Sequence, residues 1–238
     1  GEGTDVIAIV TTTDFSNLNP TSFDSIEEVR FTGSNQTGTF LGEQLSDKTL
    51  LLTELEAGTS NVIINVSPGV TSNFTNIAAS TFTSGTDTIL INGSGDNDII
   101  IAPDLATTIN GGNGNDSING GDGGDNLIGG SGNDVYIFNG GDVDPGELIS
   151  ELPAGGTDSI NILTTTDFLS MPGTSFDHVE EISFVGANQT GTFTSNQLKS
   201  KDINLSESAS GISNIIINLE TIGEVASFQL LTATSFLS

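Results

Sequence analysis

Aspartates at positions 98, 116, 125 and 134 are separated by nine or eighteen residues, and the last three each close a run crowded with glycine. Glycine-rich runs can turn with positive φ and direct their carbonyl oxygens inward. Carboxylates at a fixed period beside such carbonyls make a set of hard oxygen ligands. Cages of six or more oxygens that include carbonyls suit Ca²⁺ better than Mg²⁺, which demands a tighter octahedron. Softer chemistry lacks its residues. There is no Cys, so neither thiolate sites nor disulfides are available. The chain contains neither the H-E-x-x-H motif of zinc proteases nor the G-x-S-x-G turn of serine hydrolases. It is therefore expected not to be an enzyme.

The elements that must position these aspartates follow from the same period. The chain runs Gly-Gly-Asn-Gly-Asn-Asp-Ser-Ile-Asn (111–119), Gly-Gly-Asp-Gly-Gly-Asp-Asn-Leu-Ile (120–128), Gly-Gly-Ser-Gly-Asn-Asp-Val-Tyr-Ile (129–137). These are three uninterrupted copies of the G-G-x-G-x-D-x-U-x nonapeptide. Residues 93–101 and 102–110 are degenerate copies, the second with Thr107 where the aspartate is expected. Ile100, Ile109, Ile118, Leu127 and Tyr136 all take the eighth position. Six residues of turn and three of strand, with one apolar side chain pointing in, account for this pattern. A flexible polar linker would not hold an apolar residue at every ninth place. One or two buried side chains per nine ordered residues leave the backbone entropy uncompensated, and stacked carboxylates repel. A bound cation answers both deficits.

Over residues 111–137 strictly, and over about 85–150 more loosely, the chain resembles the RTX (repeats-in-toxin, hemolysin-type calcium-binding) family of secreted bacterial proteins. The resemblance implies a parallel β-roll with two nonapeptides per turn and Ca²⁺ between loops two repeats apart. The earlier loop would give its second and fourth carbonyls, the later loop its first and third, and both their sixth-position Asp. One implied site joins Gly112, Gly114 and Asp116 to Gly129, Ser131 and Asp134. A second joins Ser94, Asp96 and Asp98 to Gly111, Asn113 and Asp116, with a shift to Gly93 and Gly95 as the alternative register. On the opposite edge Gly121, Gly123 and Asp125 would face 138–143, where Gly140 lies and where Asp142 or Asp144 could replace the aspartate missing at Val143. The pairing of 102–107 with Gly120, Asp122 and Asp125 lacks one carboxylate and is expected to be weak or empty. Two to three Ca²⁺ are expected in all.

The nonapeptides are bracketed by a duplication. Thr11-Thr12-Thr13-Asp14-Phe15 returns 153 residues later as Thr164-Thr165-Thr166-Asp167-Phe168. At the same offset Asn35-Gln36-Thr37-Gly38-Thr39-Phe40 matches Asn188-Gln189-Thr190-Gly191-Thr192-Phe193, and Asn61-Val62-Ile63-Ile64-Asn65 matches Asn214-Ile215-Ile216-Ile217-Asn218. After one inserted residue Phe74 and Phe82 match Phe228 and Phe236, so that of thirteen Phe only Phe138 lacks a counterpart. Gly3-Thr4-Asp5 and Gly156-Thr157-Asp158 open the two copies, as expected for a piece of a longer tandem array. Strands are predicted at 6–10, 28–32, 50–52 and 61–66, with the best helical stretch at 22–29 and its copy at 175–182. The predicted fold is all-β: a parallel β-roll or β-solenoid over 85–150, with two duplicated flanking β modules at 1–84 and 151–238.

The repeat also disposes of other candidate sites. His178, the only histidine, has Ser25 as its counterpart and is expected to be a surface or capping residue. Glu27-Glu28 and Glu180-Glu181 are adjacent pairs that point different ways, expected on a charged solvent face. The 35–40 segment and its copy are expected to be a turn entering a strand rather than a binding loop.

With 31 acidic against 4 basic residues, a net charge of −27 repels nucleic acid and anionic membranes and leaves cations as partners. β-Branched runs such as Val62-Ile63-Ile64 argue against disorder. No apolar run approaches the roughly 18 residues that span a bilayer. Residues 1–13 lack the marks of a signal peptide, so an export signal is expected elsewhere in the parent. These features predict a secreted, extracellular or cell-surface structural fragment, from an adhesin or surface-layer protein, that Ca²⁺ folds and stiffens after export. The resemblance implies type I secretion. Neighbouring repeats of the parent and cell-surface polysaccharide are the further partners considered. The alternatives are a carbohydrate-binding module, which exposed aromatics would support, and the C-terminal part of a secreted RTX enzyme.

Overall fold

The computed structural model describes residues 3–82, 86–208, 212–219 and the strand Thr232–Ala233. It is an all-β parallel solenoid of about nine turns among the described residues. In the centre the register advances by two nonapeptides per turn. Ile99–Ile101, Ser117–Asn119 and Val135–Phe138 pair in parallel, with Ile100 opposite Ile118 and Ile118 opposite Tyr136. On the facing wall Thr107–Asn113 pairs with Asn126–Ser131, setting Ile109 opposite Leu127. Alternate nonapeptides thus build opposite walls. Their eighth-position side chains, Ile100, Ile109, Ile118, Leu127 and Tyr136, are all fully buried between them.

The flanking turns are longer. Val6 pairs with Glu28, and Thr71 with Ile99, steps of 22 and 28 residues. The extra residues include short helical turns: 3₁₀ turns at Pro20–Phe23 and Gly173–Phe176, and single α-turns at Gly42–Leu45 and Ser195–Leu198. The sheets run through this change of pitch. An eight-stranded sheet carries Val135–Phe138 against Ser159–Ile162 and continues through Glu181–Phe184 and Asn204–Glu207 to Thr232–Ala233. A seven-stranded sheet carries Asn61–Asn65 against Thr88–Asn92, which pairs on with Thr107–Asn113. The three expected segments therefore share continuous sheets. The 84/85 boundary falls within 83–85, outside the described residues, as do Phe228 and Phe236.

The duplication is structural as well. Phe15 stacks on Phe40 at 5.0 Å, and Phe168 on Phe193 at 4.9 Å. Phe23 and Phe176 meet these pairs edge-on. Buried Gln44 accepts the Leu41 N–H at 2.8 Å and donates to the carbonyls of Phe15 and Leu18 at 2.8 Å. Its copy Gln197 accepts from Thr194 and donates to Phe168 and Met171, each at 2.7 Å. One amide thus satisfies three backbone groups where the chain leaves the sheet.

Two expectations are corrected. The stretch expected to be helical at 22–29 has only its first residues in the 3₁₀ turn, and Glu28–Phe31 is strand. Phe23 turning into the core and the β-branched Val29 in the sheet decide this against an α-helix. Glu28 is not on a solvent face but buried, paired with Arg30 at 2.6 Å and accepting from Thr53. Glu27 is the exposed member and accepts the Asp5 N–H at 2.6 Å. The 35–40 segment is a turn entering the strand Thr37–Leu41, and His178, exposed in a turn, has a φ of 62°.

Candidate metal centre

Along one edge the glycine loops 93–98, 111–116 and 129–134 stack turn upon turn. Gly112 and Gly130 have φ of 109° and 106°, a region L side chains rarely adopt. A Cβ on Gly112 would sit 2.2 Å from the Ser94 carbonyl oxygen, and one on Gly130 would sit 2.2 Å from that of Gly112. Only bare backbone permits loops this close. Asn115 and Asn133 add a side-chain ladder: Asn115 N–H donates to Asn97 at 2.7 Å, and Asn133 N–H to Asn115 at 2.8 Å.

The aspartates form a second ladder inside the first. Asp98 N–H donates to Asp116 Oδ1 and Asp116 N–H to Asp134 Oδ1, each at 2.8 Å. The ladder then leaves the regular repeats, because Asp134 N–H donates to Asp158 Oδ1 and Asp158 N–H to Glu180 Oε2, again at 2.8 Å. On the opposite edge Thr107 N–H donates to Asp125 Oδ1 at 2.7 Å, and Asp125 N–H to Glu147 Oε2 at 2.9 Å. Each rung uses one carboxylate oxygen. The second oxygen is what matters: Asp116 Oδ2, Asp125 Oδ2, Asp134 Oδ2 and Glu147 Oε1 are buried and accept no hydrogen bond.

A buried carboxylate oxygen without a donor is costly unless a proton or a cation meets it. Burial, with the Asp134 and Asp98 charges adding to it, pushes the Asp116 carboxyl up to about 6. Burial and then the Glu147 charge push Asp125 up to about 9, and burial pushes Glu147 up to about 8. Burial also raises the carboxyl of Asp134. The donor set is all hard oxygen, with carbonyls nearby. The points a Cβ would fill at Gly111, Gly120 and Gly129 lie 2.5, 2.4 and 2.4 Å from the free oxygens of Asp116, Asp125 and Asp134. These residues fit Ca²⁺. The ion would supply the positive charge that lets the stacked carboxylates stay ionised.

The expected ligands are distributed unevenly. Ser94, Asp96, Asp98, Gly111, Gly112, Asn113, Gly114, Asp116, Gly129, Ser131 and Asp134 all lie in the one stack. Gly112 pairs with Gly130 and Asn113 with Ser131, while a Cβ on Gly114 would sit 2.7 Å from the Asp96 carbonyl. Asp98 differs from its relatives, since its Oδ2 accepts from Ser94 N–H and Ser94 Oγ, both at 2.7 Å. Ser94, standing where later loops have glycine, closes the end of the stack. On the other edge Gly120, Gly121, Gly123 and Asp125 cluster beside 102–107, with exposed Asp122 on the same loop. A Cβ on Gly140, by contrast, would meet the Thr165 carbonyl, and Asp142 accepts from Asn139 N–H at 2.7 Å. Asp144 accepts from Gly123 N–H at 2.9 Å. Glu147 takes the rung expected of Asp142 or Asp144. Sequence reasoning missed Glu147, Glu151 and Asp158, which follow a break in the nine-residue period. The signal for Asp158 was present, because Gly156-Thr157-Asp158 echoes Gly132-Asn133-Asp134.

Comparison with protein families finds the RTX calcium-binding nonapeptide repeat, four copies, at residues 104–136. Comparison with curated proteins and with solved structures finds no match for the chain. Among the described residues no helix is long and apolar enough to cross a membrane. With its stacked glycine loops, carboxylate ladder and free buried oxygens, the chain carries RTX calcium-binding repeats at the centre of a β-solenoid.

Proposed function

We propose that this chain is a calcium-binding structural or adhesive fragment of a secreted or cell-surface RTX protein, in which Ca²⁺ drives folding and rigidity after export. It acts without catalysing a reaction. The observation that carries the reading is the set of buried carboxylate oxygens that no protein donor meets, those of Asp116, Asp125 and Asp134 each at a glycine whose Cβ would fill the gap. Two to three ions are assigned to the nonapeptides. Two lie between 94–98 and 111–116 and between 112–116 and 129–134; the third, where bound, lies beside Asp125 and Glu147. Extracellular calcium modules bind with Kd of roughly 10⁻⁴–10⁻³ M, so such a chain stays unfolded where calcium is scarce and folds outside. Export by type I secretion, and a place in an adhesin or surface layer, belong to the same proposal. Among the described residues the aromatic side chains are buried or half-buried, which favours this role over a carbohydrate platform.

Calcium titration of the EDTA-treated chain tests the reading. Far-ultraviolet circular dichroism should gain β-sheet signal, and the melting temperature should rise with calcium concentration. Identical spectra and melting with and without calcium would refute the coupling.

A further inference from the structure

The stack shows a repeating arrangement at its first-position glycines. Beside Gly93, the point a Cβ would occupy lies 3.2 Å from Asp98 Oδ2 and 2.1 Å from the Gly111 carbonyl oxygen. Beside Gly111 it lies 2.5 Å from Asp116 Oδ2 and 2.7 Å from the Gly129 carbonyl oxygen. Beside Gly129 it lies 2.4 Å from Asp134 Oδ2 and 2.4 Å from Glu151 Oε1. The side chain of Glu151 thus stands where the regular turns offer a backbone carbonyl.

The rest of the loop continues the pattern. Gly132 N–H donates to the Gly155 carbonyl at 2.6 Å, as Gly114 N–H does to Ser131. Thr157 N–H donates to Asn133 at 2.8 Å, extending the asparagine ladder, and Asp158 takes the aspartate rung. Carboxylate oxygens of Asp134, Glu151 and Asp158 lie within 4.8 Å of one another. Asp134 is fully buried, and its Oδ2 faces this cluster with no hydrogen-bond partner. Tyr136 Oη donates to Glu151 Oε1 and holds that carboxylate in place.

We propose that Asp134, Glu151 and Asp158 bind one further Ca²⁺, a site completed from outside the nonapeptides, in the 24-residue turn that joins the roll to the second flanking copy. Three carboxylates without nitrogen or sulfur ligands select a hard divalent cation. In this turn the inserted residues displace the carbonyl that a nonapeptide would supply, and the longer reach of Glu151 restores an oxygen at that point. The inference rests on the roll being a calcium site.

The test counts ions by equilibrium dialysis with Ca²⁺ in the whole chain and in Glu151→Gln, which keeps an acceptor for Tyr136. It also follows Tb³⁺ luminescence sensitised by Tyr136, the single tyrosine in a chain without tryptophan. Glu151→Gln should bind one ion fewer and lose most tyrosine-sensitised terbium emission, while the other ions remain. An unchanged count with undiminished emission overturns the proposal. If Glu151→Gln does not fold, Asp158→Asn, which retains an oxygen for the Asp134 N–H, is held to the same two outcomes. A wild-type chain that bound no calcium would instead overturn the reading of the roll itself.

Discussion

Asp116 is held differently from Asp98, although both occupy the sixth position of a loop. Asp116 spends Oδ1 on the Asp98 N–H and keeps a buried, unpartnered Oδ2, whereas Asp98 has both oxygens occupied, by Gly69 and Ser94. Asp116 also lies between two of the proposed ion positions, and Asp98 borders one. Asp116→Ala should therefore lower calcium affinity about tenfold more than Asp98→Ala, equivalent to about 1.4 kcal/mol, in calorimetric titrations. Equal losses would mean the loops pair in another register. Asp98, Asp116, Asp125 and Asp134 were legible in the sequence because a strict nine-residue period fixes which side chain meets which. Glu147 and Glu151 were not, since insertions after Phe138 break the period. Asp158 had its echo in Gly156-Thr157-Asp158, but only folding shows that Asp158 and Glu147 take rungs and that Glu151 stands beside Asp134.

The loops are the elements on which close stacking depends. Gly130 combines a φ of 106° with a Cβ position 2.2 Å from the Gly112 carbonyl oxygen. Gly130→Ala therefore carries both backbone strain and a steric clash, and should cost about 2 kcal/mol or more in urea unfolding at saturating calcium. An unchanged midpoint would show that the loops are not packed this tightly. Strands were the easier part to foresee where β-branched runs mark them, as Val62-Ile63-Ile64 does within Asn61–Asn65 and Ile215-Ile216-Ile217 within Asn214–Asn218. The α-turns at Gly42–Leu45 and Ser195–Leu198 were not foreseen. Four residues hold too little periodicity to announce a helix, and the role of Gln44 depends on carbonyls at Phe15 and Leu18, far back in the chain.

At the scale of the molecule, acidity and fold are linked through protons. Burial raises Asp116 and Asp158 to about 6, Glu151 to about 7, Glu147 to about 8 and Asp125 to about 9. In the calcium-free chain the folded state therefore keeps protons that the unfolded chain releases near its ordinary carboxylate range. That contribution is complete below about pH 4 and is lost as pH rises through the window from about 6 to 9. In EDTA the melting temperature should be lower at pH 8 than at pH 5. Saturating calcium should shrink or reverse the difference, because the cation takes over from the protons. A calcium-free melting temperature that rose between those pH values would contradict the burial of these groups.

The carboxylate ladder has a polarity. In every rung from Asp98 to Glu180 the acceptor belongs to the residue later in the chain and the N–H to the earlier one. Each coil is therefore latched by its successor and latches its predecessor. A polypeptide emerging tail first would deliver every latch ahead of the segment it must catch, so the rod could wind up behind its own leading end.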